Sequence, residues 1–341
     1  MTMFRAVTVR APAKINLSLR VVGVRTDGYH ELRTVFQSIA LADTLSFTSW
    51  DGPLRVSCDH PGVPLDDRNL VWRAAACLAA VTGRTPDRAG VRVAIRKRIP
   101  LQAGLGGGSA DAAATLVTLV RLWKARLPAG RLRGLAAGVG ADVPFLLSGG
   151  TALGCGRGDE IRPLAELPTR WVVLACPDFG VPTADAYRWF DEDEGRPNGG
   201  DRVPFVLRPF DGAPASWPYR GLAADGALRV APSTVEGREP QEERSPRRGA
   251  RRTGLDVIND LEPCVTRRHP VIADTVEGFW EAGAEAAGMS GSGSAVFGLF
   301  ESAGPARRAA ERLARPAWTV LVTRTLTRAE VAARLRPRAR A

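Results

Sequence analysis

Cysteine and histidine are scarce in this chain of 341 residues, and each scarcity excludes a class of chemistry. The 5 cysteines (Cys58, Cys77, Cys155, Cys176 and Cys264) are odd in number, far apart and never in a C-x-x-C pair. Neither a disulfide framework nor a zinc site can organise such a fold. The 3 histidines have no second His or Cys at ligand spacing, so they add no metal signature. Long apolar runs are missing as well: nothing approaches the roughly 18 to 20 consecutive apolar residues of a membrane helix. Met1 to Asn16 also lacks the apolar centre of a signal peptide, and a cytoplasmic protein without membrane contact is expected. Acidic charge falls short of basic, 36 Asp and Glu against 47 Lys and Arg, for a formal balance of +11. Lysine itself is confined to Lys14, Lys97 and Lys124, so arginine carries the excess, much of it in Arg238 to Arg252 and Arg334 to Arg340. No aromatic-interleaved, zinc-finger or basic-zipper pattern accompanies those arginines, so they read as basic tails and solvated faces, and no nucleic-acid partner is expected.

What is present is 45% hydrophobic residue, enough for one large or two modest domains with real cores. Ile15, Leu17, Leu19 and Val21 alternate with Asn16, Ser18 and Arg20. That is the period of a half-buried strand, with Lys14 and Asn16 on its polar face. Strands are also expected at Val35–Leu41, Thr44–Thr48, Leu54–Cys58 and Val91–Ile99, and a helix at Asn69–Val81 stopped by Gly83. In Val91–Ile99 the odd positions are apolar except for Lys97. A lysine on the inward parity needs an anionic or carbonyl partner, which makes Lys97 a candidate ligand contact. Further helices are expected at Ser109–Lys124, with Ala112, Leu116, Leu119, Val120 and Trp123 as its buried stripe, and at Arg131–Val139 and Asp142–Leu147. The second half reads as α+β: helices at Thr183–Phe190, Asp256–Arg267, Val271–Ala282 and Ala306–Ala314, with strands at Thr151–Cys155, Trp171–Cys176, Ser294–Phe300 and Trp318–Arg324. Between these, residues 191–254 are rich in Pro, Gly and Arg with little periodicity and read as an insertion, in which Phe205, Phe210, Trp217 and Tyr219 could pack the stretch 203–219.

The strongest local signal is the run from Leu101 to Asp111, in which Gly104, Gly106, Gly107 and Gly108 surround Leu105 and are followed by Ser109 and Ala110. It lies between a strand and an apolar-striped helix. Glycine allows positive φ and close approach of an anion, and the free N–H groups at the helix start favour phosphate oxygens. It is not a Walker loop, because no Gly-Lys-Ser/Thr closes it, and its spacing is not the dinucleotide G-x-G-x-x-G. A second cluster, Gly288 to Ser294, contains Ser290, Gly291, Ser292 and Gly293 and could wall the other side of a phosphate site. Neither cluster forms a nucleophile elbow, which disfavours a serine hydrolase. Asp142 stands amid apolar neighbours in Gly140 to Phe145, and Lys14 at a strand entrance. Beside a phosphate loop, an Asp/Lys pair suits phosphoryl transfer: the carboxylate takes or orients a hydroxyl proton and the ammonium offsets developing charge.

Together, Pro12-Ala-Lys-Ile-Asn16, Asp27-Gly-Tyr-His30, the loop Gly104 to Ser109, Gly140-Ala-Asp-Val-Pro144, Asn259-Asp-Leu261 and Ser290-Gly-Ser-Gly293 resemble the GHMP kinases over residues 8–190 and 255–325. The resemblance implies a two-domain α+β fold. Residues 1–165 would form an N-terminal domain like ribosomal protein S5 domain 2, and residues 166–341 a ferredoxin-like C-terminal domain interrupted by the insertion. It implies ATP and Mg²⁺ as cofactors and, as acceptor, the 2-hydroxyl of a cytidine-diphosphate ester of methylerythritol in isoprenoid synthesis. The catalytic pair falls on Asp142 and Lys14. The ATP site falls on Asn69, Leu70, Lys97 and residues 104–110, and the substrate side on Asn16, Tyr29, His30, Thr183 and Tyr187. Ala110 stands where many members carry a second serine. Metal ligands are left unassigned, and a monomer or homodimer fits. Two other readings share these motifs: a GHMP kinase for another small alcohol, and a relative that has lost turnover.

Overall fold

The computed structural model describes residues 6–194 and 257–339. Two long antiparallel strands, β1 (Val7–Val24) and β2 (His30–Ser49), form its spine, turned by Gly28 at φ +83°. Both exceed the expected segments: the stretches read as separate strands at 35–41 and 44–48 are one continuous strand. Their register shifts at Pro12/Lys14, Asn16/Ser18 and Val21/Gly23. Such bulges re-aim side chains along a strand that would otherwise keep strict alternation.

The chain continues through β3 (Arg55–Cys58), α1 (Leu70–Val81), β4 (Val91–Arg96), α2 (Gly107–Leu122), α3 (Ala129–Val139), α4 (Val143–Ser148), β5 (Thr151–Cys155) and β6 (Glu160–Pro163). The first sheet runs β12-β1-β2-β4-β3, where β12 is Arg338–Ala339, with β5 on β2, β6 on β5 and a short β8 (Ile258–Asn259) parallel to β1. β4 alternates buried and exposed residues without a break, so one face packs on the helices and the other meets water. α2 is almost wholly buried over Ala110–Leu116. A run of small residues lets helix and strand backbones close in around it.

In the second half come β7 (Trp171–Cys176), α5 (Thr183–Glu194), β8 (Ile258–Asn259), α6 (Glu262–Arg268), α7 (Pro270–Glu281), β9 (Ala286–Met289), β10 (Val296–Phe300), α8 (Ala303–Arg312), β11 (Thr319–Arg324), α9 (Arg328–Arg334) and β12 (Arg338–Ala339). The second sheet is antiparallel in the order β11-β7-β10-β9, the ferredoxin-like arrangement. Along β7, Val172, Leu174 and Cys176 belong to the core of the first sheet, whereas Val173 and Ala175 belong to that of α5 to α8. β7, β9 and β10 are therefore covered on both faces and read as continuous apolar runs, while the edge strand β11 stays partly exposed.

Two expectations are corrected. Residues 257–261 are not helical: Ile258 and Asn259 pair with β1, and α6 begins only at Glu262. The polar face of β1 does not face water either, since Lys14, Asn16 and Ser18 are all buried. That face is covered by the second half of the chain. α5 runs on to Glu194, past the expected helix end at Phe190; the remainder of the 191–254 insertion, including the packing expected at 203–219, lies outside the described residues.

Candidate active site

The two glycine clusters meet. Gly104 has φ +70°, and a Cβ there would sit 1.9 Å from the carbonyl oxygen of Ser290, so glycine is the one residue that fits. Ser290 Oγ donates to the Gly104 carbonyl at 3.0 Å and accepts from the Asn16 N–H at 3.3 Å. Asn259 braces the second cluster from behind, its Nδ2 donating to the Met289 carbonyl at 2.9 Å and the Gly291 carbonyl at 2.8 Å. Asp260 beside it accepts from the Val21 N–H at 2.8 Å. The Asn-Asp-Leu motif thus ties the second half of the chain to β1.

Gly106 is the N-cap of α2, in the left-handed conformation at φ +69°, with no side-chain hydrogen bond closing the helix end and no acidic residue in the first turn. The first N–H groups of a 16-residue helix are therefore left for an outside acceptor. Directly against this cap lie the two expected catalytic residues. A Cβ on Gly106 would meet Lys14 Cγ at 3.1 Å and Asp142 Oδ2 at 3.5 Å. Lys14 Nζ stands 3.4 Å from Asp142 Oδ2, the lysine side chain 5% and the aspartate side chain 30% exposed. Asp142 is the N-cap of α4 but makes no capping bond, so its carboxylate faces the cleft. Lys14 is fixed from several sides. Its N–H donates to the Leu105 carbonyl at 3.1 Å, its ammonium to Asn16 Oδ1 at 2.6 Å, and it lies 5.6 Å from the Phe36 ring centre. Asn16 in turn donates to Thr34 Oγ1 at 2.7 Å, and that hydroxyl donates to the Ser18 carbonyl at 2.7 Å.

Around these groups opens a cleft of about 1310 Å³. Its walls include Lys14, Asn16, Tyr29, His30, Leu70, Gly104 to Ser109, Asp142, Thr183, Tyr187, Gly291 and Ser292. Thr183 Oγ1 is 3.1 Å from Ser292 Oγ, bridging α5 to the second glycine cluster. The His30 ring stacks on Tyr187 at 4.8 Å and its Nε2 is 2.8 Å from Asp191 Oδ1. Burial, with help from the nearby Asp142 and Asp260 charges, holds the Tyr187 phenol well above its usual value. Tyr29 is 58% exposed, with the Arg157 guanidinium 5.2 Å from its ring centre.

Several expected residues lie off this wall. Asn69 caps α1: its Oδ1 accepts from the Val71 N–H at 2.8 Å and its Nδ2 donates to the Pro64 carbonyl at 2.6 Å. Its side chain therefore serves as a helix cap. Lys97 does have the polar partners its parity demanded, but they are carboxyl groups of the protein itself. Its ammonium pairs with Asp43 and, at 2.9 Å, with Asp111, all of them buried. Asp43 also accepts from the Ile99 N–H at 2.9 Å. This cluster sits beneath the glycine loop, with Lys97 Nζ 3.3 Å from where a Cβ of Gly107 would be. Burial pushes the Asp111 carboxyl up to about 8, against the pull of Lys97 and with the repulsion of Asp43. Ala110 is buried in α2, and Ser290 and Gly293 hold the loop from behind the wall. Thr34, Asp43, Asp111 and Asp191 escaped the sequence reading. Their partners are 16 or more residues away for Thr34 within β1 and β2, 54 for Asp43, 14 for Asp111 and 161 for Asp191, so no local pattern marks them; the inward parity of Lys97 was the one signal that could have prompted a search for the two buried aspartates.

Comparison with known proteins shows what the chain is similar to. Residues 69–150 match the GHMP kinases N terminal domain and residues 243–317 the GHMP kinases C terminal domain. A 4-diphosphocytidyl-2-C-methyl-D-erythritol kinase of Moorella thermoacetica is 41% identical over 320 residues, covering 94% of this chain and 99% of that protein. One of Thermosynechococcus vestitus is 40% identical, covering 89% and 91%. The crystal structure of a 4-(cytidine 5'-diphospho)-2C-methyl-D-erythritol kinase superposes with a TM-score of 0.68 at 34% identity, over 93% of this chain and 98% of that one. A homoserine kinase from Cytophaga hutchinsonii shares the fold at 18% identity, with a TM-score of 0.60.

Proposed function

Because the chain belongs to the GHMP kinases and, within them, to the 4-diphosphocytidyl-2-C-methyl-D-erythritol kinases, we propose that its cleft moves the γ-phosphoryl group of ATP to the 2-hydroxyl of 4-diphosphocytidyl-2-C-methyl-D-erythritol, a step of the non-mevalonate isoprenoid pathway. The observation that carries the reading is the Lys14 and Asp142 pair set directly against the uncapped start of α2. Phosphate held by the helix N-terminus and a hydroxyl held by the pair would meet at one place, and positioning of that kind supplies much of the rate in phosphoryl transfer.

In this reading the backbone N–H groups of Gly106 to Ser109 take the ATP phosphates, with Leu70 beside the nucleotide. Asp142 orients the acceptor hydroxyl and takes its proton as the oxygen bonds to the γ-phosphorus. The bond from that phosphorus to the bridging oxygen breaks, and ADP leaves with the electron pair. Lys14, held by Asn16, offsets the charge that builds on the transferred group. Tyr29, His30 and Tyr187 hold the pyrimidine, and Thr183 with Ser292 closes the second wall. Among the described residues no group of three or more His, Cys, Asp or Glu side chains could cage a metal. The donor set therefore fits a Mg²⁺ carried mainly by phosphate oxygens and water. Such an ion would neutralise phosphate charge, and Asp142 would be the carboxylate to share it.

The test is transfer of phosphate from ATP by the purified protein, with 4-diphosphocytidyl-2-C-methyl-D-erythritol, mevalonate, homoserine and galactose offered together. Transfer to the cytidylyl acceptor is expected, with the others at least about 100-fold poorer in kcat/KM, the discrimination a site loses when its polar contacts stay unpaired. Preferred transfer to any other acceptor keeps the kinase and discards this substrate. A folded protein that binds ATP and transfers to none of them overturns the reading.

A further inference from the structure

Near the start of β1, well before Lys14, four arginines gather around a second cavity of about 530 Å³. Arg10 comes from β1, Arg334 from the end of α9, Arg336 from the segment behind it and Arg338 from β12. The sheet register fixes two of them, Arg10 opposite Thr44 on β2 and Arg338 opposite Thr8. Glu330 is the acid in the cavity wall, and it is already engaged. Its Oε1 accepts from Arg324 at 2.6 Å and its Oε2 from the Thr327 N–H at 2.9 Å, and these bonds hold its carboxyl down at about 2. Glu330 therefore balances Arg324, and among the described residues none of the four cavity arginines has an acidic partner.

Other arginine pairs are held in different ways, Arg55 and Arg92 over the Trp50 ring at 4.5 and 4.0 Å. Arg267 and Arg268 both close on Asp193 at 2.7 Å. At the β1 corner the four arginines line one cavity with no carboxylate shared between them among the described residues. Burial, and then the charges of Arg10 and Arg324, pull Arg334 below its ordinary value, with Arg338 acting in the same sense and Glu330 against it. Arg334 is half-buried and the other three are exposed, and like charges gathered round one cavity repel each other in a way that a bound anion would offset. Guanidinium forks match phosphate oxygens two at a time, and the cavity has the size of a small-molecule site.

We propose that this cavity is a second anion site, separate from the glycine loop, that takes a small ligand carrying two adjacent phosphoryl groups. Four uncompensated guanidiniums match the charge of a diphosphate better than that of a single phosphate. The proposal does not depend on which alcohol the cleft phosphorylates.

The probe is inorganic diphosphate, titrated calorimetrically into the full chain with the glycine loop saturated by a non-hydrolysable ATP analogue. One diphosphate per chain is expected to bind in that state, at least about tenfold more tightly than inorganic phosphate. The double variant R334Q/R338Q should weaken it about tenfold or more, and the control R307Q/R308Q, which removes the same charge from the exposed face of α8, should leave it within about twofold. Both variants should keep wild-type turnover, which shows that they fold. Three results overturn the site: no diphosphate uptake once the analogue saturates the loop, equal weakening by the two variants, or phosphate bound as well as diphosphate. Tighter binding of a single-stranded oligonucleotide through Arg334 and Arg338 would instead make this corner a nucleic-acid surface.

Discussion

Two lysines flank the glycine loop, each beside aspartate, and their surroundings separate them. Lys14 faces Asp142 at 3.4 Å across a cleft, and that carboxylate is 30% exposed. Lys97 is sealed between Asp43 and Asp111, whose side chains are 0% and 4% exposed. A carboxylate open on one side can exchange a neighbour for a substrate hydroxyl. One enclosed by protein can only hold the protein together. Residue type does not distinguish the two constellations; access to the cleft does.

The sharpest way to break the comparison is to neutralise the open carboxylate. Asp142→Asn should lower kcat by about 10²- to 10⁴-fold, the range of a lost general base, while ATP affinity stays within about threefold and the melting temperature holds. Loss of ATP binding by the folded variant would move Asp142 out of its role. The sealed lysine should answer in the opposite currency: Lys97→Met strands two buried carboxyls and should cost about 3 to 5 kcal/mol in urea unfolding. Turnover per folded molecule should fall much less than in the Asp142 variant. An unchanged unfolding midpoint would show that the buried cluster carries no stability.

A smaller effect sharpens the comparison further. The Asp111 carboxyl, pushed up to about 8 by burial, keeps its proton in the fold where an unfolded chain would release it. Below about pH 4 both states are protonated and the group is neutral in its effect. Between about pH 4 and pH 8 the folded state binds more protons than the unfolded, so stability falls as pH rises, and above that range the slope vanishes. Asp111→Asn removes the titrating group while keeping its shape. It should flatten that slope, gaining on the order of 4 kcal/mol over the wild type at pH 8.5 relative to pH 5 in urea unfolding. Parallel pH profiles for the two proteins would show that Asp111 is already ionised.

Much of this was legible along the chain. Gly104, Gly106 and Ser109 announce a phosphate loop because positive φ and a helix start leave marks in neighbouring residues. β4 and α1 follow their periodicity closely, since each buries one face against a single layer, whereas α2 is enclosed on nearly every side over Ala110–Leu116. Asn259 to Leu261 illustrates the limit. Its pattern suggested helix, yet the backbone bonds of Ile258 and Asn259 are taken by β1, from 240 residues earlier in register at Leu19 and Asn259. That pairing is a tertiary decision that overrides local preference.

The sequence alone determined most of the elements, the loop and the residue types able to perform phosphoryl transfer, because backbone conformation and side-chain chemistry are properties of short segments. It also set Lys97 on the inward parity, where it needs an anionic or carbonyl partner. Which partner, and so which lysine faces the cleft, was decided only when β2, β4 and α2 closed around Asp43 and Asp111 while β1 and α4 left Lys14 and Asp142 at the cleft. Burial and distance set the cost of a charge, and both are fixed by packing between segments that the chain itself keeps far apart.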